Sequence, residues 1–423
     1  MAGSLALLNA LPAHAQFEYG LEAGYGHSDN VFRSSDNEIT SDILTAGLQL
    51  DWEEDRTRLD ANVHADLDFN HYLDGDADDQ VTGNANGQVA FAIVPERFAW
   101  LIQDTFGQAQ EDPLAPATPE SLESTNFVST GPDFTMRMGD SNALRLSGRY
   151  SLTTYEVSPY DSTRVGGRVS FLRQLSDRSS WGLNASLDDV DFDDAGSIDF
   201  TSRNASFTYE LEAARTDINT ELGYTWIEHD VTGESEQDGP LVRIEVRRRV
   251  STSSYLNLRA GTLLADASEA MRDNLDAVEQ AGGEVISTAS SSVYENNFAE
   301  LGWQFDRPRT SIDVFVSYDN NVYDSQPELD RKRLMVSSAL ERHLSNRLLG
   351  RIRIAWDTED VALDGSEADE FRVSLGASWR FGRDTGIELW GERIDRDSNT
   401  TSGGGESVEN RIFLTLFYRP PAR

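Results

Sequence analysis

Residues 44–69 read LTAGLQLDWEEDRTRLDANVHADLDF, and apolar and polar residues alternate through nearly all of this stretch. The apolar residues form two series, separated by the residues EEDR: Leu44, Ala46, Leu48, Leu50 and Trp52, then Leu59, Ala61, Val63, Ala65, Leu67 and Phe69. A period of two places successive side chains on opposite faces of a strand. The stretch therefore predicts a β-hairpin with one apolar and one polar face.

Two environments accommodate such a hairpin. In a soluble sheet the apolar face covers a second sheet, and the polar face meets bulk water. In a membrane barrel the apolar face meets lipid, and the polar face lines the lumen. The local alternation is the same in both, so the rest of the chain has to decide between them.

Alternation continues through most of the 423 residues, although only 38% of them are hydrophobic. No Gly/Pro/Ser-rich linker divides the chain, and no apolar run approaches the roughly 20 residues that a membrane helix requires. The alternating runs predict about 20 strands, within a range of about 18 to 22. They are centred near residues 21, 48, 63, 87, 102, 132, 148, 168, 185, 206, 222, 246, 260, 300, 315, 337, 352, 375, 389 and 413.

The connections between these strands alternate in length. Every second one is short, as in EEDR, PER, GDSN, SDRS and LSNR, and those between are long and acidic, as in HYLDGDADDQ and TEDVALDGSEADE. Greek-key sandwiches mix loop lengths at both ends, whereas outer-membrane barrels have short periplasmic turns and long extracellular loops. We therefore predict an all-β fold, a single transmembrane antiparallel up-and-down barrel over residues 16–423, in the outer membrane of a Gram-negative bacterium. Both termini are expected in the periplasm.

Aromatic residues occur on the apolar faces near both ends of the predicted strands. Near the short turns these are Trp52, Trp100, Trp181, Trp303, Trp379 and Tyr418. Near the long loops they are Tyr150, Tyr224, Trp226, Tyr318 and Trp356. Two aromatic girdles at the membrane interfaces would have this distribution. The alternative explanation is the general preference of aromatic residues for strands.

Two further segments have their own patterns. The last strand, ENRIFLTLFY, resembles the carboxy-terminal signal by which the barrel assembly machinery recognises its clients, although the tail RPPAR follows it. Residues 267–281 are rich in helix formers and end before Gly282 and Gly283, which predicts a short helix in a long loop. A solvated surface helix is the favoured state, and a helix folded over or into the pore mouth is the alternative.

Residues 1–15, MAGSLALLNALPAHA, predict a secretory signal peptide, because a short apolar core precedes Ala13-His14-Ala15. The basic segment that usually precedes such a core is missing, as expected of a truncated signal. The chain has no cysteine, and its formal net charge of -37 argues against nucleic acid as a partner. Among its 36 basic residues the single lysine is Lys332. Coding bias and bidentate pairing of arginine with carboxylates both explain that excess of arginine.

If the apolar face meets lipid, the intervening side chains line the lumen. Early strands contribute acids and later strands contribute arginines, which predicts a transverse field across the lumen. The predicted substrate path comprises Asp51, Asp60, Asp66, Asp68, Arg145, Arg149, Arg168, Arg243, Arg247, Arg249, Arg259, Arg351, Arg353 and Arg372. Carboxylates or sulfates could exchange between guanidinium groups along such a wall. The alternative is that these arginines pair with acids on neighbouring strands and only support the barrel.

No motif indicates catalysis or a formal metal site. The six histidines lack an HExxH spacing, and no serine stands in a GxSxG elbow. His64 near Asp66 is the best candidate for a dyad. The acids at positions 74, 76 and 78 start like a calcium loop, but Asp79 stands where an EF-hand requires glycine. We expect no enzyme and no cofactor, and we consider loose binding of Ca²⁺ or Mg²⁺ by acidic loops near lipopolysaccharide phosphates.

The segment GYGHSDNVFRSSDNEITSDILTAGLQLDW, residues 24–52, has a first strand ending in tyrosine, an Asp-Asn loop and a glycine-containing second strand. This layout resembles the β-barrel porin 2 family, which includes barrels encoded with exopolysaccharide and PEP-CTERM/exosortase systems. The resemblance implies a conduit for exopolysaccharide and a periplasmic export partner, and it implies no catalytic residues.

Three functions are consistent with this sequence. A passive conduit for exopolysaccharide export is the first prediction, and a general or specific diffusion porin for small anionic solutes is the second. The third is a non-conducting structural or adhesive barrel that acts through its acidic loops. All three have outer-membrane lipid and lipopolysaccharide as their surroundings.

Overall fold

The computed structural model describes residues 16–110, 112, 114–230, 236–269, 286–323, 326–361, 365–399 and 405–420. The predicted signal peptide and nearly all of the predicted helix lie outside the described residues; only 267–269 at its start are described, and they are helical. The strands are β1 Gln16–Ser28, β2 Ser41–Arg56, β3 Leu59–Tyr72, β4 Gln80–Val94, β5 Phe98–Gln110, β6 Glu123–Arg137, β7 Asn142–Tyr155, β8 Ser162–Ser176, β9 Ser179–Phe192, β10 Phe200–Glu212, β11 Thr216–His229, β12 Gln237–Ser251, β13 Ser254–Ala265, β14 Ile286–Thr288, β15 Tyr294–Arg307, β16 Thr310–Tyr323, β17 Arg331–His343, β18 Leu348–Val361, β19 Ser366–Arg380, β20 Thr385–Ser398 and β21 Gly405–Tyr418. A 3-10 turn, Pro327–Leu329, precedes β17.

The strands form one closed barrel. Each wall strand pairs antiparallel with its neighbours along the chain, β13 pairs directly with β15, and β1 closes the ring by pairing with both β2 and β21. The short β14 is not part of the wall, which leaves 20 wall strands. This confirms the predicted fold class, and every predicted strand centre lies within a wall strand. Closure leaves none of the 20 described wall strands at an edge, so the wall's backbone hydrogen bonds are made within the barrel.

The apolar side chains of each strand point outward. Leu187, Leu375 and Leu414 are 50%, 58% and 54% exposed, far more than large aliphatic residues in a protein core. In the first hairpin Leu48 lies opposite Leu67 and Trp52 opposite Val63, so the outward series match across the strands. The six aromatic residues predicted for the girdle near the short turns all lie on this outward face: Trp52, Trp100, Trp181, Trp303, Trp379 and Tyr418. Within the described part of the chain, no helix combines the length and apolar character needed to cross a membrane.

The connections lie at two distinct ends. At one end, the short-turn end, nine connections of two to four residues join strand pairs such as β2–β3 and β17–β18. The other is the long-loop end. One long loop predicted there is shorter than expected: β18 and β19 extend through TEDVALDGSEADE and leave only 362–365 between them. Cross-strand ion pairs such as Arg331–Glu359, 2.9 Å, let the acidic segment continue as paired strand.

Candidate functional site

The predicted lumen residues lie on the inward face of the wall, the face opposite the exposed apolar side chains. Register shows this directly, because Asp51 pairs with His64 while the adjacent Trp52 pairs with Val63 on the outward face. The same parity places the other thirteen inward: Asp60, Asp66, Asp68, Arg145, Arg149, Arg168, Arg243, Arg247, Arg249, Arg259, Arg351, Arg353 and Arg372.

Ring closure gives these residues a geometry that the sequence does not contain. The acidic strands β2 and β3 lie half the ring away from β12 and β13, which carry Arg247, Arg249 and Arg259. The arginines of β7 and β8 lie half the ring away from those of β18 and β19. One sector of the wall is thus acidic, and arginines stand on the three other sectors.

Four of the predicted arginines are paired with carboxylates. Arg149 donates to both oxygens of Asp133 at 2.8 and 2.9 Å. Arg259 bridges Glu245 and Glu300 at 3.3 and 3.0 Å. The other two pairings are Arg351 with Glu341 at 2.9 Å and Glu388 at 2.8 Å, and Arg372 with Glu370 at 2.6 Å. The pairs of Arg149, Arg259 and Arg351 join different strands of the wall, and that of Arg372 lies within β19. All four charges are compensated locally.

Five of the predicted arginines have no carboxylate ion pair within the described part of the chain. Arg145 and Arg168 lie on β7 and β8, and Arg353 faces them from β18. Arg247 and Arg249 have their guanidinium carbons 5.2 and 5.4 Å from the ring centre of Tyr255. Because their charges are uncompensated by contact, these five side chains are the ones available to a mobile anion.

Three long connections fold into the barrel at the long-loop end; we call them the inward loops. The first is the β1–β2 loop, residues 29–40. Its Arg33 has a positive φ of 49° and is only 6% exposed. The guanidinium donates to Glu409 on β21 at 3.0 Å and to Glu370 on β19 at 3.3 Å. Glu370 also contacts Arg372 and Arg396, so several wall strands converge on this loop.

The second inward loop is the β5–β6 loop, residues 111–122, apart from the undescribed 111 and 113. Leu114 packs against Val361 of β18 and Ala368 of β19, and its carbonyl oxygen accepts a hydrogen bond from Arg396 of β20. These strands are distant from β5 around the ring. The loop therefore spans part of the lumen to reach them.

The third inward loop is the β13–β15 segment, of which residues 266–269 and 286–293 are described. Asp266 is buried and forms an ion pair with Arg164 of β8. Within this segment β14 pairs in parallel with β5, with Gln110 opposite Thr288, and the Ala289 amide donates to the Gln110 carbonyl at 2.9 Å. Since β5 and β15 lie far apart in the ring, the described residues 286–293 cross the lumen between them.

Apolar contacts hold the carboxy-terminal end of this segment, at Val293. Val293 and Leu264 pack against Val190 of β9, Phe200 of β10 and Ile227 of β11, and all five are buried. Burial of a large aliphatic side chain stabilises by roughly 1.5–3 kcal/mol. The described flanks, 266–269 and 286–293, thus contact inward wall residues. The choice between a surface helix and a helix at the pore mouth stays a prediction, because 270–285 lie outside the described residues.

The ionisation of Asp266 follows from its contacts. Burial would raise the pKa of this carboxyl, but the Arg164 guanidinium and hydrogen bonds from Ser268 and the Glu269 amide outweigh it. The pKa of Asp266 therefore lies below its ordinary value. The carboxyl stays ionised, and the ion pair stays formed, well into the acidic range.

The histidines pair differently from the sequence prediction. His64 lies 2.6 Å from Asp51, across the strand pair, and Asp66 accepts a hydrogen bond from Gln49. His71 pairs with Asp79 at 2.7 Å. Among the described residues, no group of three or more His, Asp or Glu side chains is arranged to hold a metal ion.

Sequence reasoning missed the inward loops, although their composition contains a signal. Val31, Phe32 and Ile39 occur in the β1–β2 loop, and Val293 ends the β13–β15 segment. Large apolar side chains are unfavourable in a fully solvated acidic loop. In the structure these apolar side chains pack against inward residues of the wall. Arg33 and Asp266 were also missed, because their partners are remote in sequence.

No family model matches the chain, and no curated protein matches it. Among solved structures, the siderophore receptor PirA from Acinetobacter baumannii is 8% identical, with a TM-score of 0.46 over 97% of this chain and 81% of that chain. OpdO from Pseudomonas aeruginosa is 11% identical, with a TM-score of 0.38 over 96% of this chain and 97% of that chain. The copper transporter OprC is 9% identical, with a TM-score of 0.45 over 96% and 80%. These similarities are too low to assign a family, cargo or partner to this chain.

Proposed function

We propose that the protein is an outer-membrane channel for small anionic solutes. A closed barrel with an apolar outer face is one of the two backbone arrangements that can span a bilayer, and short turns on one side match periplasmic turns. In this orientation both termini lie in the periplasm, and the acidic loops lie outside near lipopolysaccharide.

The observation that carries the proposal is the set of arginines without carboxylate partners on facing walls, Arg145 and Arg168 against Arg353. The attraction between two opposite unit charges about 4 Å apart in water is ~1 kcal/mol. This corresponds to a roughly five-fold higher local concentration of anions beside each arginine. Carboxylate and phosphate solutes would exchange between these groups, while the inward loops narrow the path at the other end.

The test is ion selectivity in planar bilayers under a salt gradient at about 0.1 M, where charges act over roughly 10 Å. The wild type should conduct and prefer anions. The triple variant Arg145→Gln, Arg168→Gln, Arg353→Gln should shift the reversal potential toward cations by a few-fold change in permeability ratio. Arg351 is a poorer target because it is part of a wall ladder.

The matched control removes three positive charges from the outward face near the long loops: Arg203→Gln, Lys332→Gln and Arg393→Gln. It should leave selectivity unchanged. A wild-type barrel that does not conduct ions, or equal reversal potentials for the wild type and the lumen variant, would contradict the proposal. A non-conducting barrel would instead favour the structural or adhesive role.

Exopolysaccharide export remains the prediction of the family resemblance. The inward loops occupy part of the lumen, and a polymer needs a wider opening beside them than a small solute does. Deletion of the gene distinguishes the two functions. A polysaccharide conduit predicts loss of surface polymer with unchanged uptake of small anions, and the proposed channel predicts the reverse.

A further inference from the structure

The short-turn end carries many exposed arginines, although the chain as a whole has a net charge of -37. We call this set the arginine collar. Its members lie in the short turns or on outward strand positions beside them: Arg58, Arg97, Arg173, Arg178, Arg215, Arg248, Arg307, Arg309, Arg342 and Arg347. The ion pairs described at this end involve other arginines, among them Arg56, Arg137, Arg383 and Arg419.

The arginine collar lies directly beside the aromatic girdle. Arg173 on β8 is the register partner of Trp181 on β9, and both are on the outward face. The guanidinium carbon of Arg307 lies 5.5 Å from the ring centre of Phe305, two residues from Trp303. Interfacial aromatic residues sit at the level of the lipid head groups. The guanidinium groups next to them therefore lie at the height of the phosphates.

The opposite end has the opposite charge. Acidic residues occupy outward positions near the long loops: Asp42, Asp189, Asp191, Glu228 and Asp369. The single lysine of the chain, Lys332, also lies at that end and is not part of the collar. Arginine binds phosphate oxygens in a bidentate manner, which lysine cannot do. The barrel is therefore electrostatically polarised along its axis. The outward arginines near the long loops, Arg203 and Arg393, are each paired with a carboxylate, Glu228 and Asp395, whereas the arginine collar offers its guanidinium groups to phosphates.

We propose that the arginine collar binds the head groups of anionic phospholipids, of the phosphatidylglycerol type, in the leaflet at the short-turn end. This inference depends on the membrane barrel and not on the channel function. Each arginine near an anionic surface contributes roughly five-fold in affinity. The collar thereby fixes the height and orientation of the barrel in the membrane.

The experiment compares two triple variants in nanodiscs of phosphatidylglycerol mixed with phosphatidylcholine. The collar variant is Arg173→Gln, Arg248→Gln, Arg342→Gln, and the control is Arg203→Gln, Lys332→Gln, Arg393→Gln. Native mass spectrometry counts the lipids that remain bound. Wild type and control should retain phosphatidylglycerol selectively, and the collar variant should lose it by tenfold or more. Heat-modifiable migration on gels confirms that each barrel is folded.

Equal retention of phosphatidylglycerol by both variants would overturn the proposal, as would equal retention of the two lipids by the wild type. A second measurement uses the wild type alone and follows its retention of phosphatidylglycerol as the salt concentration rises from 0.05 to 0.5 M. The Debye length falls from roughly 14 to 4 Å over this range, so electrostatic binding must weaken. Salt-independent retention would refute head-group pairing. Binding of soluble polyglutamate in place of phosphatidylglycerol would assign the collar to an acidic protein and also overturn the proposal.

Discussion

At the scale of single residues, the ion pair between Arg164 and Asp266 is the contact by which β8 holds the start of the β13–β15 segment. Both side chains are largely buried, so removal of one partner leaves an uncompensated charge, which costs about 3–5 kcal/mol. We predict that Arg164→Gln releases the segment and raises single-channel conductance. Arg149→Gln is the matched control, because it breaks a pair within the wall and touches no inward loop. Equal conductance of Arg164→Gln and wild type would show that this contact does not hold the segment.

The same pair predicts a response to pH. The pKa of Asp266 is lower in the folded protein than in the unfolded chain, so its contribution to stability is full above the ordinary aspartate pKa. It is lost as the pH falls through the lowered value. Arg164 and the side chains of Ser268 and Tyr155 surround this carboxyl, and none of them titrates in that range. Conductance in the wild type should therefore rise only as the pH falls through this lowered pKa, which lies below the ordinary aspartate value of about 4. The rise should be absent in Asp266→Asn, and its persistence there would exclude Asp266 as its origin.

At the scale of elements, the pairing of β14 with β5 attaches one connection to a distant wall strand. The chain has no cysteine, so a pair introduced at Gln110 and Thr288, which are register partners, would be its only thiols. We predict that Gln110→Cys with Thr288→Cys forms a disulfide that fixes the segment inside the barrel. Oxidised protein should keep its low conductance at acidic pH, and reduction should restore the rise. Gln110→Cys alone controls for the substitution; acid opening of the oxidised double variant would contradict a moving segment.

The β3–β4 pair depends on one glycine. Gly83 has a φ of 110°, and a Cβ placed there would lie 2.0 Å from the carbonyl oxygen of Asp66. We predict that Gly83→Ala destabilises the barrel by about 1–3 kcal/mol, because the backbone has to shift in a strand paired on both sides. Gly87→Ala, on the same strand and face, meets only ordinary contacts with Val63 at 3.5 Å and should be nearly neutral. Urea unfolding from lipid vesicles measures both, and similar midpoints would disprove the clash.

At the scale of the whole molecule, the outer face is the property on which the other conclusions depend. Large apolar side chains such as Leu183, Val165 and Ile412 are each about half exposed on it. Exposed apolar area of this extent is unstable in water and stable in hydrocarbon. We predict that the purified protein is monodisperse in detergent and aggregates when detergent is removed. A compact, dispersed particle in plain buffer, observed by analytical ultracentrifugation, would disprove the membrane barrel.

The sequence by itself determined the strand positions, the face on which each side chain lies and the short turns. All of these follow from a period of two and local turn composition, which residues 44–69 already contain. It did not determine which arginines are paired: Arg145 and Arg149 look alike in sequence, but only Arg149 has Asp133 within reach.

Only the tertiary structure decided that β7 faces β18, that Arg33 meets Glu370 and that β14 pairs with β5. Such contacts join residues far apart along the chain. They arise because ring closure and the folding of loops into the lumen bring distant strands together, and no local periodicity encodes that.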